Sequence, residues 1–206
     1  MANYNGSAFG NISGKALGVV AGSWKGQNYI RSYVVPANPR TQAQTETRTL
    51  FKDVAQWGKN IVGIWLNTMT APKPKKASPY NLFVKRNMDA QRGGTFSAAN
   101  VVLAEGSLPL PATTTLTVSK TSGLELTFST ELTGDARETD IVGVLLYDET
   151  KDVFVSATAT RSAGTATATL PAVMASTDSY IAWVVVVSED KTASSDQEKK
   201  TGTISA

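Results

Sequence analysis

Cysteine and histidine are both absent from the 206 residues. Without cysteine the chain has no disulfide framework, no thiolate nucleophile and no cysteine-based zinc site. Without histidine it lacks the commonest general base and metal ligand, which removes the usual Ser-His-Asp and Cys-His arrangements. Long apolar runs are missing too. The longest, Tyr180 to Val187, has the length of a strand and falls well short of a membrane helix. The first ten residues show no basic segment followed by an apolar one, so the expectation is synthesis in the cytoplasm without a signal peptide. Carboxylates, lysines and tyrosines remain for acid–base chemistry, yet their spacing marks no catalytic set. The chain is expected not to be an enzyme and to carry neither cofactor nor metal.

What is present is ordinary in amount and uneven in place. An apolar fraction of 41% and a charged fraction of 18% fit a folded protein. Residues 1–95 hold thirteen Lys and Arg against three Asp and Glu, a net charge of +10. Residues 96–206 hold seven against fourteen, a net charge of −7. Such polarity points to an acidic partner for the first half, or to head-to-tail contacts between copies.

The chain opens with glycines at every fourth position from Gly6 to Gly26, among Phe9, Ile12, Leu17, Val19, Val20, Trp24, Tyr29 and Ile30. Six glycines would cost a soluble helix about 1 kcal/mol each. Short strands with glycine turns, or an extended arm ending in the strand-like run 28–35, fit better. Then Leu50, Phe51, Val54, Ala55, Gly58, Ile61, Val62, Trp65 and Leu66 keep a helical period for more than four turns. This predicts a helix over about 41–68, with Thr41 as N-cap by its capping-box spacing to Gln44. Gly58 and Gly63 are expected to bend it or to admit another backbone. Residues 71–77, rich in Pro and Lys, read as a stiff basic connector. Ser78-Pro79 starts a second helix over about 79–92, stopped by Gly93-Gly94. The two helices are expected to form a hairpin, with Phe51, Trp57 or Trp65 against Leu82 and Phe83.

Residues 96–112 read as a linker and 113–206 as strands. Period-two runs fall at 115–119, 124–129, 140–147, 153–160, 165–170, 179–187 and 199–204, and seven short strands predict an antiparallel β-sandwich. The fold class is therefore α+β, with three parts: a basic docking region over 1–95, the linker, and the sandwich.

Several motifs are near misses. Gly10-Asn-Ile-Ser-Gly14-Lys15 has three residues between its glycines where a phosphate loop needs four, and Ala16 stands where Ser or Thr is required. Asp135, Glu138 and Asp140, and again Asp148, Glu149 and Asp152, cluster without the order of a calcium loop. The stronger signal is in the first half, where Trp24, Tyr29 and Tyr33 interleave with basic residues, as in single-strand nucleic-acid binding. Lys15, Trp24, Lys25, Arg31, Arg40, Arg48, Lys73, Lys75 and Lys76 are the candidate partner-binding residues.

Two resemblances add to this reading. Leu170-Pro171 followed by the Tyr-led strand at 180 resembles the end of fibronectin type III domains, an immunoglobulin-like sandwich. Gly14-Lys-Ala-Leu-Gly-Val-Val-Ala-Gly-Ser-Trp-Lys-Gly26, Tyr29-Ile-Arg31, Asn38-Pro-x-Thr41, Gln44, Arg48, Phe51 and Ser78-Pro-Tyr-Asn-Leu-Phe83 with Asn87 resemble an uncharacterised family. Its members are bacterial and phage-associated proteins of about this length, and the resemblance implies a structural role and no catalytic residues. The expectation is an oligomeric virion or particle protein, capsid- or tail-associated, docking on other structural proteins or on copies of itself and not on a membrane. A nucleic-acid-binding protein and an extracellular filament or adhesin subunit are the alternatives.

Overall fold

The computed structural model describes residues 2–3, 13–16, 18–35, 37–38, 40–70 and 77–206. The chain divides into two compact units, Met1–Thr41 and Gln42–Ala206.

The described strands of the first unit form one antiparallel sheet. Its strands are β1 (Ala2–Asn3), β2 (Gly14–Ala16), β3 (Val19–Trp24) and β4 (Gln27–Ser32), in the order β1-β4-β3-β2. Two residues, Lys25 and Gly26, join β3 to β4, with φ of 50° and 79°. Positive φ at both central positions gives a hairpin turn whose twist matches the strands. The four-residue glycine spacing follows from this layout. Gly18 and Gly26 sit in turns at positive φ, and Gly22 lies mid-strand opposite Tyr29. Gly6 and Gly10 lie outside the described residues. No residue of this unit whose burial is described is buried.

The second unit has three layers. Its helical layer begins with α1 (Gln42–Ile61), immediately after the expected cap Thr41. A π-helical stretch at Val62–Leu66 and a last turn, α2 (Asn67–Met69), continue it. The buried stripe runs Leu50, Val54, Trp57, Gly58, Ile61, then Trp65, Leu66 and Met69. The wider π turn keeps Ile61, Trp65 and Met69, spaced by four, on one side. Phe51, expected on the apolar face, is 53% exposed. Helix α3 (Pro79–Ala90) starts as predicted, with the Asn81 amide donating to Ser78 Oγ at 3.2 Å. The hairpin contact is a stack of Trp57 on Phe83, centroids 5.6 Å apart. Gly58 makes room for it: a Cβ there would stand 2.8 Å from the Phe83 ring. So Gly58 admits a ring where another backbone was expected, and Gly63 has nothing within 4 Å.

The other layers are the two sheets of a β-sandwich. The strands are β5 (Thr114–Ser119), β6 (Gly123–Phe128), β7 (Ile141–Asp148), β8 (Val153–Thr160), β9 (Thr165–Ala168), β10 (Ser179–Val187) and β11 (Glu198–Thr203). One sheet has the order β11-β10-β7-β8 and the other β5-β6-β9. The four-stranded sheet is the shared wall between two cores. From β10, Ala182, Val184 and Val186 pack with Leu124, Leu126 and Phe128 of the facing sheet. Ile181, Trp183, Val185 and Val187 pack with Trp57, Ile61, Trp65 and Met69 of the helices. Burial on both faces is why β10 reads as an unbroken apolar run instead of an alternating one. Gly143 of β7 receives Met69, whose Cε would lie 2.7 Å from a Cβ at that position.

Residues 96–112, expected as a linker, belong to this unit. Val101, Leu103, Ala104 and Leu108 are buried. Side-chain amides hold the segment from both sides. Asn87 donates to the Val102 carbonyl and accepts from the Val102 amide, both at 2.9 Å. Gln197 accepts from the Leu103 amide at 2.7 Å and donates to the Val101 carbonyl at 2.8 Å. The boundary between compact units therefore falls after Thr41 and not near residue 95, because apolar side chains and backbone pairing tie 96–112 to α3 and to the chain before β11. Among the described residues no helix is long and apolar enough to cross a membrane.

Candidate functional site

Register decides which side chains share a face of the N-terminal sheet. Lys15 pairs with Val20, Val20 with Arg31, Gly22 with Tyr29, and Trp24 with Gln27. Paired residues project to the same side and alternate residues return to it. One face thus gathers Lys15, Val20, Trp24, Tyr29 and Arg31. Tyr33 extends it one step beyond β4, where its amide donates to the Gly18 carbonyl at 2.7 Å. The opposite face carries Val19, Ala21, Ser23, Asn28, Ile30 and Ser32, with no charge.

The charged face is built by cation–ring contacts. Lys15 Nζ stands 3.4 Å from the centroid of Tyr33, which holds the ammonium over the sheet. Lys25 Nζ stands 6.0 Å from the Trp24 ring, at the edge of that range. Tyr29 lies across Gly22, where a Cβ would come within 2.8 Å of its hydroxyl. Trp24 is 71% exposed, the most exposed large aromatic among the described residues. Residues 1–45 contain Lys15, Lys25, Arg31 and Arg40 and no carboxylate. The arrangement can neutralise a polyanion and offer flat rings beside the charges.

The predicted residues divide accordingly. Lys15, Trp24, Lys25 and Arg31 come together on this sheet and its turn. Arg40 is exposed at φ 45°, near the end of the first unit. Arg48 belongs to the second unit, on α1, where it borders an open groove of about 740 Å³ with Ala43, Gln44, Thr47, Phe51 and Met88. Lys73, Lys75 and Lys76 lie outside the described residues. Tyr29 and Tyr33 were absent from the candidate set, although Tyr29-x-Arg31-x-Tyr33 within a strand was a legible period-two signal for one face.

Asp140, Asp148 and Asp152 of the two carboxylate clusters are engaged in structure. Asp140 and Arg161 are both buried, 4.0 Å apart, and Arg161 Nη2 donates to the Pro109 carbonyl at 2.5 Å. Burial lowers the Arg161 pKa, an effect opposed by Asp140. Asp148 accepts the amides of Thr150 and Lys151 in a turn. Asp152 accepts from the Tyr147 hydroxyl at 3.1 Å, and burial, followed by this carboxylate, pushes the phenol up to about 12. Asp190, bonded by Ser188 and Thr192, is held down at about 2. Among the described residues no three acidic side chains converge to hold a metal ion.

Residues 11–197 match the family described as a family of unknown function, DUF6266. That span is most of the chain, and the protein belongs to this family. No curated protein and no solved structure matches the chain.

Proposed function

We propose that this member of a family of unknown function is a non-enzymatic structural protein that docks through its N-terminal sheet and displays the helix-backed sandwich. The observation that carries the reading is that no residue of β3 or β4 is buried, Val20–Gly22 and Asn28–Ile30 being half-buried and the rest exposed. A single layer with nothing buried gains little hydrophobic stabilisation against the entropy of ordering its backbone. A covering surface supplies what it lacks. The second unit has the opposite character, with a central sheet packed on both faces.

A capsid- or tail-associated accessory subunit of a virion or phage-like particle fits this division of labour. Its sandwich is of the fibronectin type III kind. Leu170-Pro171 precede β10, which opens with Ser179-Tyr180 and pairs with the last strand, β11. The uncharged face around Val19, Ala21 and Ile30 suits contact with protein. Gradient fractionation of the native source, followed by mass spectrometry of the particle fractions, tests the reading. Co-sedimentation with a particle is the expected result. Recovery of all the protein as a free monodisperse monomer would falsify it.

A further inference from the structure

We infer that the face formed by Lys15, Trp24, Tyr29 and Arg31 binds single-stranded nucleic acid. Three observations converge on this ligand. First, the unit is cationic without offset: residues 1–45 hold four basic side chains and no carboxylate, which complements a phosphate backbone and repels none of it. Second, register brings the cations and rings onto one face and leaves the other uncharged. Third, the rings are presented for stacking. Trp24 is mostly exposed, and Tyr29 lies down over Gly22.

The ring arrangement separates this ligand from its rivals. Unpaired bases offer π-faces to exposed aromatics beside cations, whereas a duplex hides those faces inside its stack. The described part of this unit contains no helix to enter a major groove. An acidic protein segment would use the cations and leave Trp24 without a role. Within the face, Tyr33 acts as a positioning residue because its ring holds the Lys15 ammonium. Trp24 and Tyr29 are the stacking surfaces, and Lys15, Lys25 and Arg31 neutralise phosphates.

The inference goes beyond membership of a particle and does not depend on it. Binding by a protein found in no particle would sustain the one and sink the other. The test titrates the full chain into a fluorescent oligothymidylate of about 16 nucleotides at about 50 mM salt, following anisotropy and tryptophan emission. Binding with quenched tryptophan emission is expected. Three phosphate contacts predict a slope of about −2 for log affinity against log salt. Trp24→Ala should weaken binding roughly tenfold or more, and Trp24→Phe, which keeps a ring, should recover most of it. The pair Lys15→Gln and Arg31→Gln should flatten the salt dependence, independently of any effect of the tryptophan variant on folding. No anisotropy change at low salt overturns the inference, as does a duplex bound as tightly as the single strand. Self-association at low salt, abolished by Arg31→Gln and without oligonucleotide binding, would assign the face to the acidic half of a second copy.

Discussion

The same cross-strand pair occurs in both units and has a different meaning in each. Tyr29 faces Gly22 in the N-terminal sheet, and Tyr180 faces Gly202 in the sandwich. In both, a glycine Cβ would come within 3 Å of the tyrosine hydroxyl, at 2.8 Å and 2.7 Å. Each glycine opens a slot that a ring covers. Tyr180 is then buried among Ala182, Val184 and Ile204, and burial raises its pKa. Tyr29 stays half-exposed. One local device therefore serves a core in one unit and a surface in the other. What differs is whether a second layer lies on top. The second unit carries its own stabilisation, and in the first the side chains with described burial are half-buried or exposed.

The largest effect that would sharpen this contrast is in β10. Trp183→Ala removes a fully buried ring where helices and sheet meet, and should cost about 3–5 kcal/mol in chemical denaturation of the full chain. A loss below about 1 kcal/mol would contradict the role of β10 as shared wall. Next comes Asn87, which is fully buried. Asn87→Ala leaves the Val102 amide and carbonyl without partners and should cost about 1–3 kcal/mol. Hydrogen exchange at 101–104 should accelerate with it. If protection there is unchanged, the segment is held by its apolar side chains alone.

Two glycine substitutions probe the units side by side. Gly58→Ala drives a methyl into the Phe83 ring and should destabilise the second unit by about 1–3 kcal/mol. Gly22→Ala lifts Tyr29 and should leave that unfolding transition where it is, while weakening oligonucleotide binding. A shift of the main transition by Gly22→Ala would show that the first unit contributes to it.

The smallest effects are pH-dependent. Asp190 has a folded pKa below its ordinary 3.8, so its contribution is present above that value and is lost as pH falls through about 2. Carbon-detected titration of its carboxyl should show the low midpoint, and Ser188→Ala should raise it. Tyr147 has the opposite sense. Its folded pKa exceeds 10.0, so its contribution is complete below pH 10 and is lost as pH rises through about 12. Tyrosinate absorbance, compared between the native chain and Asp152→Asn, should show an earlier rise in the variant.

Much of the second unit was legible before any coordinates. The β8 and β10 ranges coincide with the expected strands 153–160 and 179–187, and the other sandwich strands differ by a residue or two, because alternation and apolar runs are properties of short windows. Ser78-Pro79 announced its helix for the same reason. The errors fall where the deciding contact is distant in sequence. Residues 96–112 look like a linker by composition, yet Gln197 and Asn87 hold them through bonds that no local window contains. Phe51 obeys the helical period, yet it is exposed beside the groove that Arg48 and Met88 border. The candidate face was half legible. Interleaved aromatics and cations were evident, and the side on which each falls depends on a register set by the Lys25-Gly26 turn.

By itself, then, the sequence determined the α+β class, the helix positions, the positions of the sandwich strands, the charge polarity and the lack of histidine and cysteine chemistry, since all of these follow from composition and local periodicity. Only the tertiary structure decided that β10 has two cores, that the division falls after Thr41, and that Lys15, Trp24, Tyr29 and Arg31 share one face. Each of those depends on which residues meet across long stretches of chain, and pairing register, not local propensity, sets that.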